Sequence, residues 1–134
     1  MINLNVVMGA AGVGKSTYIQ KHRQTDDCVI DVLDYQKRYG LADSHIAFYT
    51  FLADIEGAIH RQESQTIWVE NTFLRWFRRK MFLDWFRTLA EGYQVPMKIN
   101  LIWCISARAT DDSLDDPYEY DNGFGWDTIQ LHKE

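Results

Sequence analysis

The sequence predicts an α/β protein whose parallel β-sheet is covered by helices on both faces. Three observations carry that expectation. Short apolar runs at 2–8, 28–33, 66–70 and 98–104, with a last strand candidate at 127–131, alternate with segments of helical periodicity, as right-handed βαβ crossovers require. The run CVIDVL at 28–33 is largely apolar on both alternating sets of positions, as in a strand buried from both sides. Polar clusters follow three of the runs, at 9–17, 31–34 and 70–72, where open parallel sheets bind ligands, beyond the carboxyl ends of their strands.

Each element has its own signal. INLNVVM (2–8) reads as a strand running into a glycine-rich turn, and Lys15 to Gln24 as the helix after it. A second strand covers 28–33. Asp34 to Tyr39 makes a helical turn stopped by Gly40, with Asp34 as a possible cap. Over 43–62, Phe48, Phe51, Leu52, Ile55 and Ile59 recur at helical spacing, with Asp43 or Ser44 as N-cap. TIWVE (66–70) is the third strand. Over 74–91, Leu74, Phe77, Met81, Trp85 and Leu89 form one stripe, with Gly92 as the terminating glycine. KINLIWC (98–104) is the fourth strand, a polar and acidic stretch occupies 106–125, and DTIQL (127–131) is the last strand.

No repeat or Gly/Ser linker divides the 134 residues, so a single domain over 1–134 is expected. The formal net charge of −5 disfavours broad, non-specific nucleic-acid binding, which needs a basic footprint. No apolar stretch reaches the roughly 18 residues of a membrane span, and the start lacks the pattern of a secretory signal. Cys28 and Cys104 stand alone, without CxxC spacing, and read as reduced thiols of a cytoplasmic protein. Trp68, Trp76, Trp85, Trp103 and Trp126 are expected mostly in the core.

The chemistry concentrates in Gly9-Ala10-Ala11-Gly12-Val13-Gly14-Lys15-Ser16, a full match to G-x-x-x-x-G-K-[ST]. Glycines let such a loop curl so that backbone N–H groups converge on an anion, and the following helix adds its positive N-terminal end. Lys15 would reach the β- and γ-phosphates of a nucleoside triphosphate, the Ser16 hydroxyl would ligate Mg²⁺, and Thr17 completes the phosphate-binding set. A chance match somewhere in a chain of this length has odds of roughly one in two hundred.

The later strand ends supply candidate partners. Asp31 and Asp34 close the second run; a carboxylate near the γ-phosphate could orient an acceptor hydroxyl and take its proton. Asp34 is the first choice and Asp31 a supporting or structural group. Glu70 could hold Mg²⁺ or its water, and Asn71 could bond substrate, as could Thr72 unless it caps the next helix. Arg75, Arg78 and Arg79 lie close on one side of the long helix and would attract a phosphate-bearing substrate, unless they form a solvated face.

GAAGVGKST, VIDVLDYQKRYG and TIWVENTFLRWFRRKMFLDWF together resemble the P-loop (Walker A) kinase domains of the phage polynucleotide kinase and zeta-toxin type, over about residues 2–105. The resemblance implies a three-layer P-loop NTPase fold, a five-stranded parallel sheet of order 2-3-1-4-5, ATP and Mg²⁺ as cofactors, and transfer of the γ-phosphate to a hydroxyl. The acceptor would be a small molecule, a nucleotide or a polynucleotide 5′ end. It gives Lys15 and Ser16 to triphosphate and Mg²⁺, Asp34 to hydroxyl activation, Arg38 to substrate, and Glu70 with Asn71 to the third-strand triplet, beside the Arg78 that the helix itself offers to substrate. The family's arginine-bearing lid is reduced here to Arg108 within an acidic stretch. A nucleotide-binding module or weak ATPase is therefore the alternative expectation, since a transition-state arginine can be worth about 10³-fold.

Overall fold

The five strand candidates become strands in the computed structural model of the chain, which describes residues 1–10, 12–40, 44–72, 75–105 and 115–133. Ala11, Asp43, Leu74 and Arg108, all singled out in the sequence, lie outside the described residues. The strands are β1 (Ile2–Met8), β2 (Cys28–Asp31), β3 (Thr66–Asn71), β4 (Met97–Ile105) and β5 (Thr128–Lys133). The helices are α1 (Lys15–His22), α2 (Val32–Tyr39), α3 (Ser44–Arg61), α4 (Trp76–Tyr93) and α5 (Pro117–Tyr120). All strand pairs are parallel, in the order β2-β3-β1-β4-β5, as expected. The registers Val7 with Glu70, Met8 with Asn71, and Asp31 with Glu70 bring the polar clusters to one edge.

Strand periodicity sorts the side chains to two faces. Leu4, Val6 and Met8 of β1, Ile67 and Val69 of β3, and Ile99, Leu101 and Trp103 of β4 pack with residues of α2, α3 and α4. The alternate set, Val7, Trp68, Ile102 and Cys104, packs with Tyr18 and Ile19 of α1. Helices thus cover both faces. Each of the larger aliphatic or aromatic side chains so buried contributes about 1.5–3 kcal/mol. With only eight residues, α1 covers the carboxyl half of its face. Toward the amino half the sheet carries a polar ladder instead: Asn100 donates to Asn5 Oδ1 at 3.0 Å and accepts from Thr128 Oγ1 at 2.7 Å. That is why β1 begins with alternating asparagines.

Several boundaries differ from the sequence reading. The strand expected over 28–33 ends at Asp31, and α2 begins at once with Val32. The Asp31 side chain accepts the Leu33 N–H at 2.9 Å, so Asp31, and not Asp34, is the cap. The helix α1 stops at His22 rather than at Gln24. The polar stretch 106–125 holds the short helix α5, started by the Asp116 carboxylate on the Tyr118 N–H. Gly92 does not terminate α4: it lies in the last turn, and Gln94 takes the left-handed conformation at φ 55°. Nothing lies within 4 Å of a Cβ placed on Gly92. Gly92→Ala is therefore expected to raise stability by about 0.5–1 kcal/mol through helix propensity, measurable by urea unfolding.

The largest correction concerns α4. Its expected stripe leaves Phe77 46% and Met81 70% exposed and Trp85 half-buried. Of that stripe Leu89 does face the sheet, and its companions there are Arg79, Phe82, Leu83 and Phe86. The helix has apolar residues on more than one side, and the sheet selects the side that also carries Arg79. This arginine belongs neither to a phosphate-binding cluster nor to a solvated face. It is fully buried, pairs with Asp121 at 2.7 Å, donates to the Asp115 carbonyl at 2.9 Å and lies over the Trp103 ring at 4.8 Å. Asp121 also accepts the Trp126 indole N–H. Asp115 caps α4 through the Trp76 N–H and pairs with Arg75. Trp68, Trp103 and Trp126 are core residues, while Trp76 is 40% exposed.

Candidate functional site

The turn between β1 and α1 is built on backbone angles that side chains resist. Gly9 has φ 152°, and a Cβ there would collide with the Cys104 carbonyl on the neighbouring strand. Gly14 sits in the left-handed region at φ 88° as the N-cap of α1. Gly9→Ala is expected to destabilise the protein by roughly 2–4 kcal/mol, read as a lower urea midpoint, because strand backbone cannot move aside. Val13 is buried against the α1 face of the sheet, and Ala10 packs on the same cluster.

Within this turn Lys15 is 5% exposed, and its ammonium donates to the carbonyls of Gly9 at 2.8 Å and Ala10 at 2.9 Å. Burial pulls its pKa down, against the opposing pull of the Glu70 carboxylate. Ser16 reaches across to β3 and donates to the Glu70 carboxylate at 3.0 Å. Gly12, Gly14, Lys15, Ser16, Thr17, Leu33, Glu70 and Thr72 line a cleft of about 410 Å³. The loop's convergence with the ends of β2 and β3 follows from parallel pairing, which puts all carboxyl ends on one edge.

Glu70 is the electrostatic focus. Burial first, and then the neighbouring Asp31, push its pKa up to about 7 from an ordinary 4.5. The Ser16 hydrogen bond and the Lys15 charge pull the other way. Because the folded value lies above the unfolded one, folding favours the protonated carboxyl. That contribution is complete below about pH 4.5 and is lost as pH rises to about 7. Glu70→Gln should therefore flatten the fall in stability across this window, by roughly 3–4 kcal/mol for the rise from 4.5 to about 7 at about 1.4 kcal/mol per pKa unit. Urea titrations of both proteins between pH 4.5 and 8 check it.

The remaining candidates fall into two groups. Asn71 is buried beside Glu70; its Oδ1 accepts the Thr72 N–H at 2.6 Å, and its buried Nδ2 has no hydrogen-bond partner among the described residues. Such an unpaired buried donor costs about 1–3 kcal/mol, and a ligand acceptor atom would relieve it. Asp34 stands exposed in the first turn of α2, one residue past the cleft-lining Leu33. Arg38 is committed at 5.3 Å over the Tyr35 ring. Arg78 lies on α4, along a separate groove. Leu33 escaped the sequence reading because the second strand was drawn two residues too long; the Asp at 31, placed to cap the residues after it, was the available signal.

Among the described residues no group of three or more His, Cys, Asp or Glu side chains forms a metal cage. Ser16 and Glu70 present a hydroxyl and a carboxylate, oxygen donors of the kind that would suit Mg²⁺. Among the described residues no helix is long and apolar enough to cross a membrane. No known family model matches the chain, and no curated protein matches it.

Proposed function

We propose that the protein binds a Mg²⁺–nucleoside triphosphate, ATP in the first instance, in a P-loop NTPase-type fold and transfers its γ-phosphate to the hydroxyl of a second substrate. The observation that carries this reading is the glycine turn closed by Lys15, with the Ser16 hydroxyl held on Glu70. Lys15 and the turn's N–H groups would hold the phosphates, and Ser16 with Glu70 the cation. The bound metal and triphosphate would supply charge neutralisation and the transferable group. Thr17 and Thr72 offer hydroxyls to the bound molecule, and Asn71 Nδ2 a buried donor.

The acceptor's proton falls to Asp34. Asp31 is engaged by the Leu33 N–H and by Glu70, whereas Asp34 has no hydrogen-bond or ion-pair partner among the described residues. An unengaged carboxylate can hold a hydroxyl in line and accept its proton. Lys15 and Asn71 remain with the phosphates, and catalysis rests on positioning and fixed charge.

A second reading, a nucleotide-binding module without transfer, is favoured by the position of Asp34 outside the cleft lining. Incubation with labelled ATP, Mg²⁺ and a panel of hydroxyl acceptors, oligonucleotides and nucleosides included, separates the two. The kinase reading expects a labelled acceptor whose formation falls at least a hundredfold in Asp34→Ala while nucleotide affinity holds. Unchanged nucleotide affinity with no labelled acceptor from wild type favours the module. Absence of nucleotide affinity overturns both.

A further inference from the structure

The groove between α3 and α4 carries an inference of its own. Both helices run antiparallel to β3, one leading into it and one out of it, so both N-termini lie at the carboxyl edge, where the cleft is. Phe48 and Leu52 of α3 and Arg78, Met81, Phe82 and Trp85 of α4 line a groove of about 210 Å³. Phe82 and Trp85 stack at 5.8 Å along one wall. Farther along the two helices, Tyr93 of α4 donates to Glu56 of α3 at 3.1 Å and stacks on His60 at 4.2 Å.

Charge distinguishes this groove from an ordinary gap between helices. Among the described residues its one ionic lining residue is Arg78, and no carboxylate partner of Arg78 exists among them. Arg78 stands three residues beyond the α4 N-cap Arg75, about 5 Å along the axis, within reach of the helix's positive end. Aromatic walls and a guanidinium that is the one charge among the described lining residues select a ring with one negative group. A volume of about 210 Å³ takes such a ring and excludes a folded element of a partner protein.

We propose that this groove binds an aromatic or apolar ring bearing a single anionic group, with the anion on Arg78, and that the phosphate acceptor is a hydroxyl-bearing molecule of this class. Only the identification with the acceptor rests on the phosphotransferase reading. The groove lies along α4, the helix that follows β3 and its Glu70-Asn71-Thr72 end.

Two probes of one shape test the binding step: 1-anilinonaphthalene-8-sulfonate, which is anionic, and N-phenyl-1-naphthylamine, which is neutral. Titrations follow energy transfer from tryptophan in wild type, Arg78→Met and Met81→Asp, with MgATP affinity measured on the same samples. The sulfonate should bind wild type and lose at least tenfold in affinity in Arg78→Met. The neutral probe should change less than twofold in that variant, and Met81→Asp should weaken both. Equal sulfonate affinity in wild type and Arg78→Met, or no sulfonate binding to the native protein, overturns the site. For the acceptor, labelled-ATP transfer to hydroxylated aromatic carboxylates should exceed transfer to their neutral amides at least tenfold, and Arg78→Met should erase the preference. Bound MgATP with no such preference overturns the acceptor assignment. Undetectable MgATP binding instead removes the phosphotransferase reading, while the probe titrations still decide the groove.

Discussion

Asp121→Ala is expected to cost about 3–5 kcal/mol, the largest stability loss of any single polar substitution proposed for this chain. The carboxylate is wholly buried and bonds both Arg79 and the Trp126 indole. Its removal strips a buried guanidinium of the Asp121 carboxylate. A total stability of about 5–15 kcal/mol is typical of such domains, so the variant should unfold at a much lower urea concentration and lose much of its near-ultraviolet tryptophan signal. The pair is costly to break rather than valuable to have. The double variant Arg79→Met/Asp121→Leu should therefore recover most of the loss. If Asp121→Ala unfolds within about 1 kcal/mol of wild type, the buried pair is not what fastens α5 and the preceding segment to α4.

Lys15→Met is expected to weaken triphosphate binding by roughly a hundredfold, the equivalent of about 2.8 kcal/mol and within the range of hydrogen bonds to charged groups. In the fold the ammonium is held by two loop carbonyls, and methionine keeps the apolar stem while removing the charge that lowers the Glu70 pKa. Thermal stability without nucleotide should change little, since burial already disfavours the charged amine. Wild type should gain stability with added MgATP as binding to the native state requires, whereas Lys15→Met should gain almost none. A variant that keeps wild-type affinity would move the phosphate site away from this turn.

Much of the architecture was legible because it is local. Five strand-length segments and the glycine turn are written in adjacent residues, and parallel topology then brings Ser16 to Glu70 from 54 positions away. The working face of α4 was not legible. The segment WFRRKMFLDWF offers apolar residues on several sides, and the choice among them depends on Asp121, 42 positions from Arg79. The start of α2 was hidden for another reason. Val32 and Leu33 continue an apolar run that favours a strand, and only the Asp31 side chain on the Leu33 N–H ends it. The identity of Asn71 as a buried, half-satisfied amide likewise depends on what packs around the end of β3. Arg108, the remaining lid charge of the sequence reading, falls outside the described residues.

The central claim is that the β1–α1 turn cradles a polyphosphate, and calorimetric titration of MgATP into wild type, Lys15→Met and Ser16→Ala tests it most directly. Saturable one-to-one heat from wild type is predicted, at least tenfold weaker in Ser16→Ala when Mg²⁺ is present and nearly abolished in Lys15→Met. Equal heats from all three proteins, or none from folded wild type, would contradict the account.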